Sequence, residues 1–185
     1  MKEKGFTLWF TGLPSSGKTT IADAIADRLK GIGLRVERLD GDVVRKSLCR
    51  DLGFCKDDRD KNIERVTFVS KLLTRNGVAT VTSFVSPYQQ KRDEARQEIG
   101  NFIEVFTNCP IEVCEMRDVK GMYKKARCGE IKDFTGVQDP YEKPLAPEIM
   151  LNTDKESIEK CVNKILNYLF KNSFLDKKLK EDERE

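Results

Sequence analysis

Histidine is absent from this chain of 185 residues. Its absence excludes hydrolases built on an imidazole base and zinc sites built on imidazole ligands. Phosphoryl transfer survives that exclusion. Its loose transition state is served by positioning and charge neutralisation, and an aspartate can take the proton late. The six cysteines include no C-x-x-C pair, so a zinc ribbon and a thioredoxin-like redox motif are excluded too. Cys49 and Cys55, or Cys109 and Cys114, are close enough in sequence to meet, although free buried thiols are the expectation. No apolar run approaches the length of a membrane span. The lysines before Phe6–Phe10 imitate a signal peptide, but the apolar stretch is too short and has no small-residue cleavage site. Neither sign of charge prevails. The 34 basic and 31 acidic residues leave a net charge of +3, which demands neither a nucleic acid nor a membrane as partner. Internal repeats and low-complexity linkers are missing as well. A single soluble cytoplasmic domain, long enough to bury a core, is the expectation.

What is present begins with Gly12-Leu13-Pro14-Ser15-Ser16-Gly17-Lys18-Thr19. This run follows an apolar stretch, Phe6–Thr11, and precedes a helical pattern, Thr20–Lys30, which is the context of a phosphate-binding loop. Its glycines let the backbone bend so that successive N–H groups point at one anion. Lys18 can then reach the outer phosphates, and the Thr19 hydroxyl can ligate Mg²⁺. The following helix aims its positive end at the same charge.

Downstream, strand and helix patterns alternate. Strands are predicted at Phe6–Thr11, Arg35–Leu39, Val78–Ser83, Phe102–Thr107 and Ile149–Leu151. Helices are predicted at Thr20–Lys30, Asn62–Thr74, Gln90–Ile99, Glu112–Arg117 and Ser157–Phe170. The alternation implies an α/β fold, a mostly parallel sheet with helices on both faces and ligands at the carboxyl ends of its strands.

Several constellations fall at that edge. Asp40 and Asp42 flank a glycine after the second strand; they suit Mg²⁺ or a proton from an attacking hydroxyl, and Asp42 also suits a helix N-cap. Arg45, Arg59, Asn62 and Arg65 offer guanidinium forks and an amide for phosphate or sulfate, or simply a solvated helix face. Arg117, Lys120, Lys124 and Arg127 recur every three or four residues, with Lys125 and Lys132 nearby. On one helix they would repel by a few tenths of a kcal/mol per pair, roughly, a cost that a bound polyanion reverses. With Gly121, Gly129 and Gly136 as hinges, they read as a closing lid. Phe54 and Phe134 are loop phenylalanines, able to plug a core edge or to sandwich a base.

Taken in order, these blocks resemble the adenylyl-sulfate kinase family, whose members use ATP to phosphorylate the 3′-hydroxyl of adenosine 5′-phosphosulfate. The matching runs are Gly12–Thr20, Leu39–Arg45, Asp51–Arg65, Ser83–Tyr88, Lys120–Gly136 and Asp139–Pro144. The resemblance implies a P-loop kinase domain over 1–170 with a mobile basic lid at about 117–145, and a charged tail over 171–185. It assigns ATP to Gly12–Thr20 and Mg²⁺ to Thr19 and Asp42. Asp42 would serve the reacting hydroxyl, with Asp40 in support. Arg45, Arg59 and Asn62 would hold the phosphosulfate, Phe54 and Phe134 would clamp its adenine, and Lys120 would belong to the lid. Ser86 matches a serine described in the family as a phosphorylated intermediate, and its loop position suits substrate contact equally well. A homodimer is implied, and an ATP sulfurylase partner is left open. Val119 and Cys128 depart from the family's usual proline and small residue. Cys55 beside Phe54 and Cys128 in the lid would make the site sensitive to oxidation. The competing readings are a kinase for a plain nucleoside monophosphate and a non-catalytic nucleotide sensor.

Overall fold

In the computed structural model, which describes residues 4–176, five parallel strands form one sheet. They are β1 (Phe6–Thr11), β2 (Val36–Asp40), β3 (Ala79–Ser83), β4 (Phe102–Asn108) and β5 (Ile149–Asn152), in the spatial order β2-β3-β1-β4-β5. The helices are α1 (Lys18–Gly31), α2 (Gly41–Lys46), α3 (Lys56–Arg75), α4 (Gln89–Ile99), α5 (Ile111–Arg117), α6 (Met122–Arg127) and α7 (Ile158–Lys171).

The period-two alternation of β1 explains why both faces are covered. Phe6, Leu8 and Phe10 point into a core closed by Ile21, Ile25 and Leu29 of α1 and by Ile165 and Leu169 of α7. Trp9 points the other way, against Ile63 and Val66 of α3, Ala95 and Ile99 of α4, and Phe84. A fully buried aliphatic side chain contributes roughly 1.5–3 kcal/mol, so the two cores dominate the stabilisation of the sheet. In register, Phe10 faces Ser83, Ser83 faces Asp40, and Thr11 faces Phe106. The carboxyl ends of the strands therefore share one edge. The chain crosses β1 between β3 and β4, so the crevice opens beside the end of β1.

Three local expectations are corrected. α3 begins at Lys56 rather than Asn62, because Asp57 and Asp58 in its first turn complement the helix dipole. Asp40, not Asp42, is the N-cap of α2, its carboxylate accepting from the Asp42 amide at 2.9 Å. The basic run does not stack on one helix. α5 ends at Arg117, and α6 restarts after Gly121, which takes a left-handed φ of 65°. The Asp118 carboxylate accepts from the amides of Tyr123 and Lys124, both at 3.1 Å, and so satisfies the new helix start. All six thiols are free. The charged tail lies outside the described residues from position 177 onward.

Candidate active site

The loop 12–17 leaves β1 at the sheet edge, and its shape depends on close approach. Gly12 has φ 152°, and a Cβ there would sit 2.2 Å from Thr107 Oγ1, so only glycine fits. Ser16 Oγ shares a 2.7 Å hydrogen bond with Thr107 Oγ1, and Thr153 Oγ1 donates to the Ser16 carbonyl at 2.8 Å. α1 opens on Gly17 with no side-chain cap, which leaves its first amides to face an anion. Leu13, Pro14 and Ser15 form the turn of the loop, and Thr19 and Thr20 stand exposed on the first helical turn.

Lys18 is buried, and its Nζ donates to the carbonyls of Gly12 and Leu13 at 2.9 and 2.7 Å. Burial lowers its pKa from 10.5 to about 8. The ammonium is therefore held by neutral carbonyls in a buried site, where a phosphate dianion would be a stronger partner.

The two aspartates divide their work. Asp40 Oδ2 accepts from Thr19 Oγ1 at 3.1 Å and from Ser83 Oγ at 2.8 Å, with Arg38 at 3.5 Å. Burial opposes its charge, but these hydrogen bonds and the Asp42 amide hold its carboxyl below the usual range. Asp42 stays exposed and pairs with Lys120 from across the cleft. Asp40 rather than Asp42 thus meets Thr19. Thr19 and Asp40 present two hard oxygen donors, and no trio of acidic or thiol side chains converges among the described residues. That donor set fits a Mg²⁺ carried largely by phosphate and water, and not a protein cage.

Farther along the same edge, Arg59 joins two loops. Its Nε donates to the Phe54 carbonyl at 2.7 Å, and its fork reaches Thr135 Oγ1, the Asp133 carbonyl and Asp139. Arg45 donates to the carbonyls of Leu52 and Gly53 and lies 4.2 Å from the centre of the exposed Phe54 ring. Asn62 is buried, and its Oδ1 has no hydrogen-bond partner in the protein. Phe134 packs edge-on against Tyr123 at 5.0 Å in a small cluster with Cys109 and Cys114. Arg65 stands apart from the others, clamping Asp51 through two hydrogen bonds and holding its carboxyl at about 2.

Ser86 is buried with φ 45°, a left-handed conformation that costs a serine about 1–2 kcal/mol. Its Oγ accepts from Trp9 Nε1 at 3.3 Å, so the hydroxyl is already engaged. The basic segment lies against the phosphate loop. Tyr123 donates to the Pro14 carbonyl at 3.1 Å, and a Cβ on Gly136 would meet Leu13 at 2.9 Å. Arg117 is tied instead to the Thr153 carbonyl at 2.7 Å.

A cavity of about 500 Å³ opens beside Leu13, lined by Asn108, Cys109, Ile111, Lys143 and Asp154 among others. Apart from Lys143, which falls in the run Asp139–Pro144, no motif marks these positions, and Asn108 and Asp154 meet because β4 and β5 end side by side. Tyr123 and Tyr141 fall inside the runs Lys120–Gly136 and Asp139–Pro144 but carry no assigned role, and Arg92 lies outside every such run.

Residues 4–152 match the family described as adenylylsulphate kinase. The chain belongs to that family. An adenylyl-sulfate kinase from Halothermothrix orenii is 55% identical over 174 residues, 94% of each chain. An APS kinase from Mycobacterium tuberculosis, solved with AMPPNP and APS, is 38% identical with a TM-score of 0.87, covering 90% of this chain and 98% of that one. A third, described as a hexameric APS kinase from Thiobacillus denitrificans, is 33% identical with a TM-score of 0.73 and covers 95% of this chain and 30% of that one. In this member of the adenylylsulphate kinase family, the Asp42–Lys120 pair ties the start of α2 to the basic segment. No described helix is long and apolar enough to cross a membrane.

Proposed function

We propose that this chain transfers the γ-phosphoryl group of ATP to the 3′-hydroxyl of adenosine 5′-phosphosulfate, giving 3′-phosphoadenylyl sulfate. The observation that carries this reading is the convergence of Lys18, Thr19, Asp40 and Asp42 at one sheet edge, opposite Arg59, in a chain of this family.

ATP phosphates would replace the Gly12 and Leu13 carbonyls on Lys18, with the amides of 13–19 around them, and the nucleoside would enter the cavity beside Leu13. Thr19 and Asp40 would hold Mg²⁺ on those phosphates, and the ion supplies charge neutralisation there. Arg59, Arg45 and Asn62 face the acceptor. The orphaned Asn62 oxygen suits a donor on that acceptor, and the guanidinium forks suit its phosphosulfate. Adenine would lie between Phe54 and Phe134, each stack contributing roughly 1–3 kcal/mol. Asp42 accepts the proton of the 3′-hydroxyl once Lys120 turns from it toward the γ-phosphoryl. Direct in-line transfer needs no covalent step on Ser86, whose hydroxyl is buried against Trp9.

Residues 117–145 act in this reading as the lid of a single domain, and a homodimer in the cytoplasm completes the proposal. Free thiols at all six cysteines suit a reducing compartment. The test is to incubate the protein with Mg²⁺, ATP and adenylyl sulfate or AMP, and to identify the product by mass. Phosphorylation of adenylyl sulfate is the expected result. Preference for AMP would make the protein a nucleoside-monophosphate kinase, and no ATP consumption with either would leave a nucleotide sensor.

A further inference from the structure

Arg92 of α4 is a charged side chain that is only 1% exposed, and none of the roles above uses it. Its Nε donates to Glu104 Oε1 of β4 at 2.8 Å, an ion pair buried on both sides. A buried guanidinium kept only for stability would need little beyond that carboxylate and its own helix. Instead, two of its remaining bonds reach other segments, and a third stays within α4. Nη1 donates to the Ser86 carbonyl, and Nη2 donates to the Glu142 carbonyl and to Gln89 Oε1, each at 2.7 Å.

The Ser86 and Glu142 carbonyls belong to the loop after β3 and to the final stretch of the proposed lid. The two are laced together directly as well. Glu142 N donates to the Pro87 carbonyl at 2.9 Å, and Gln89 N donates to Glu142 Oε2 at 2.6 Å. Tyr141 stacks on Phe106, and its hydroxyl shares a 2.9 Å hydrogen bond with Thr11 Oγ1. Thr11 in turn donates to the Val85 carbonyl at 2.7 Å, one residue before the phosphate loop begins. Ser86, at the centre, holds a backbone conformation that a serine adopts only when its surroundings impose it.

We propose that Arg92 is a positioning residue for the phosphoryl transfer, locking the returning lid segment 139–143 onto the Ser86 loop and so shaping the acceptor side of the cleft. The inference rests on the kinase reading above. Arg92 touches neither substrate; it acts through Ser86, Tyr141 and Glu142. Phosphate binding should be independent of it, because none of its hydrogen bonds reaches residues 12–19.

The test uses the full chain with Arg92→Lys, which keeps a positive charge beside Glu104 but loses the three-way fork. We expect kcat/KM for adenylyl sulfate to fall at least about tenfold while KM for ATP stays within about twofold. Amide hydrogen exchange at 139–143 should speed up about tenfold, with α7 unchanged. Tyr141→Phe removes the bridge to Thr11 without exposing a buried charge. It should raise KM for adenylyl sulfate about threefold, and it alone decides the matter should Arg92→Lys not fold. The proposal is overturned by unchanged acceptor kinetics, or by ATP and acceptor parameters declining in parallel with thermal stability. Failure of the wild-type protein to phosphorylate adenylyl sulfate sinks the kinase reading instead. Hydrogen exchange in the same variants would still report whether Arg92 locks the segment.

Discussion

The phosphate-loop side and the proposed acceptor side of the cleft are built by opposite means. The loop 12–17 is contiguous in sequence, and its geometry is set by backbone angles and by hydroxyl contacts to Thr107 and Thr153. The acceptor side is assembled from side chains up to 78 residues apart in sequence, as with Lys120 on Asp42. It is held by charge, with Arg59 spanning Phe54, Asp133, Thr135 and Asp139. The first arrangement is fixed by close backbone approach and by hydrogen bonds within the protein. The second includes the exposed Lys120–Asp42 pair, which a charged acceptor can displace because such a pair contributes only about 0–1 kcal/mol.

If that contrast is right, Lys18→Ala should have the largest effect. It would lower turnover about a thousandfold by removing a preorganised cation from the transferring group. Thermal unfolding should not suffer, because burial already disfavours that ammonium. Turnover near wild type in steady-state assays would erase the distinction between the two sides.

Asp42→Asn comes next, lowering kcat about a hundredfold with nucleotide affinity little changed, as loss of a proton acceptor requires. A matching loss in ATP binding, read by fluorescent-nucleotide titration, would move Asp42 to the phosphate side.

Arg59→Ala should raise KM for adenylyl sulfate about tenfold and leave KM for ATP alone, because its contacts fall on the acceptor loops and the basic segment. Equal rises in both constants would show that the two sides are not separable.

A pH titration sharpens the same point. With Lys18 at about 8 in the free protein, ATP binding must restore a proton above that pH. Affinity should weaken about fourfold between pH 7 and pH 8.5, and a flat profile would remove Lys18 from phosphate contact. The sign for folding is the reverse. A lysine pKa lowered from 10.5 to about 8 makes the unfolded chain bind more protons, so stability rises with pH across that window.

The smallest effect concerns thiols. Alkylation should reach only the exposed Cys55 and Cys128 and lower acceptor turnover about twofold, whereas the other four are shielded by burial.

Much of this was legible in the chain itself. The β1 boundaries follow from Phe6–Thr11 as a bare apolar run before Gly12, and α7 follows from its apolar stripe through Ile165 and Leu169. The start of α3 was not legible, because residues 56–61 carry charge and no apolar period, and the dipole effect of Asp57 and Asp58 is weaker than the signal from Ile63 and Val66. The basic run misled in another way. Its three- and four-residue spacing imitates one helix, while a capping Asp118 and a left-handed Gly121 break it in two. Phe134 was recognisable as a loop aromatic, but its packing on Tyr123 depends on α6, which only the fold brings near.

By itself the sequence determined the phosphate loop, the parallel α/β order and the family, because each rests on neighbours in the chain whose geometry is dictated by local backbone freedom and side-chain period. Only the tertiary structure decided that Asp40 meets Thr19 while Asp42 meets Lys120, and that Arg92 reaches three separate segments. Those pairings depend on which strand ends lie side by side. Strand order is a property of the packed sheet, set by the burial of both its faces.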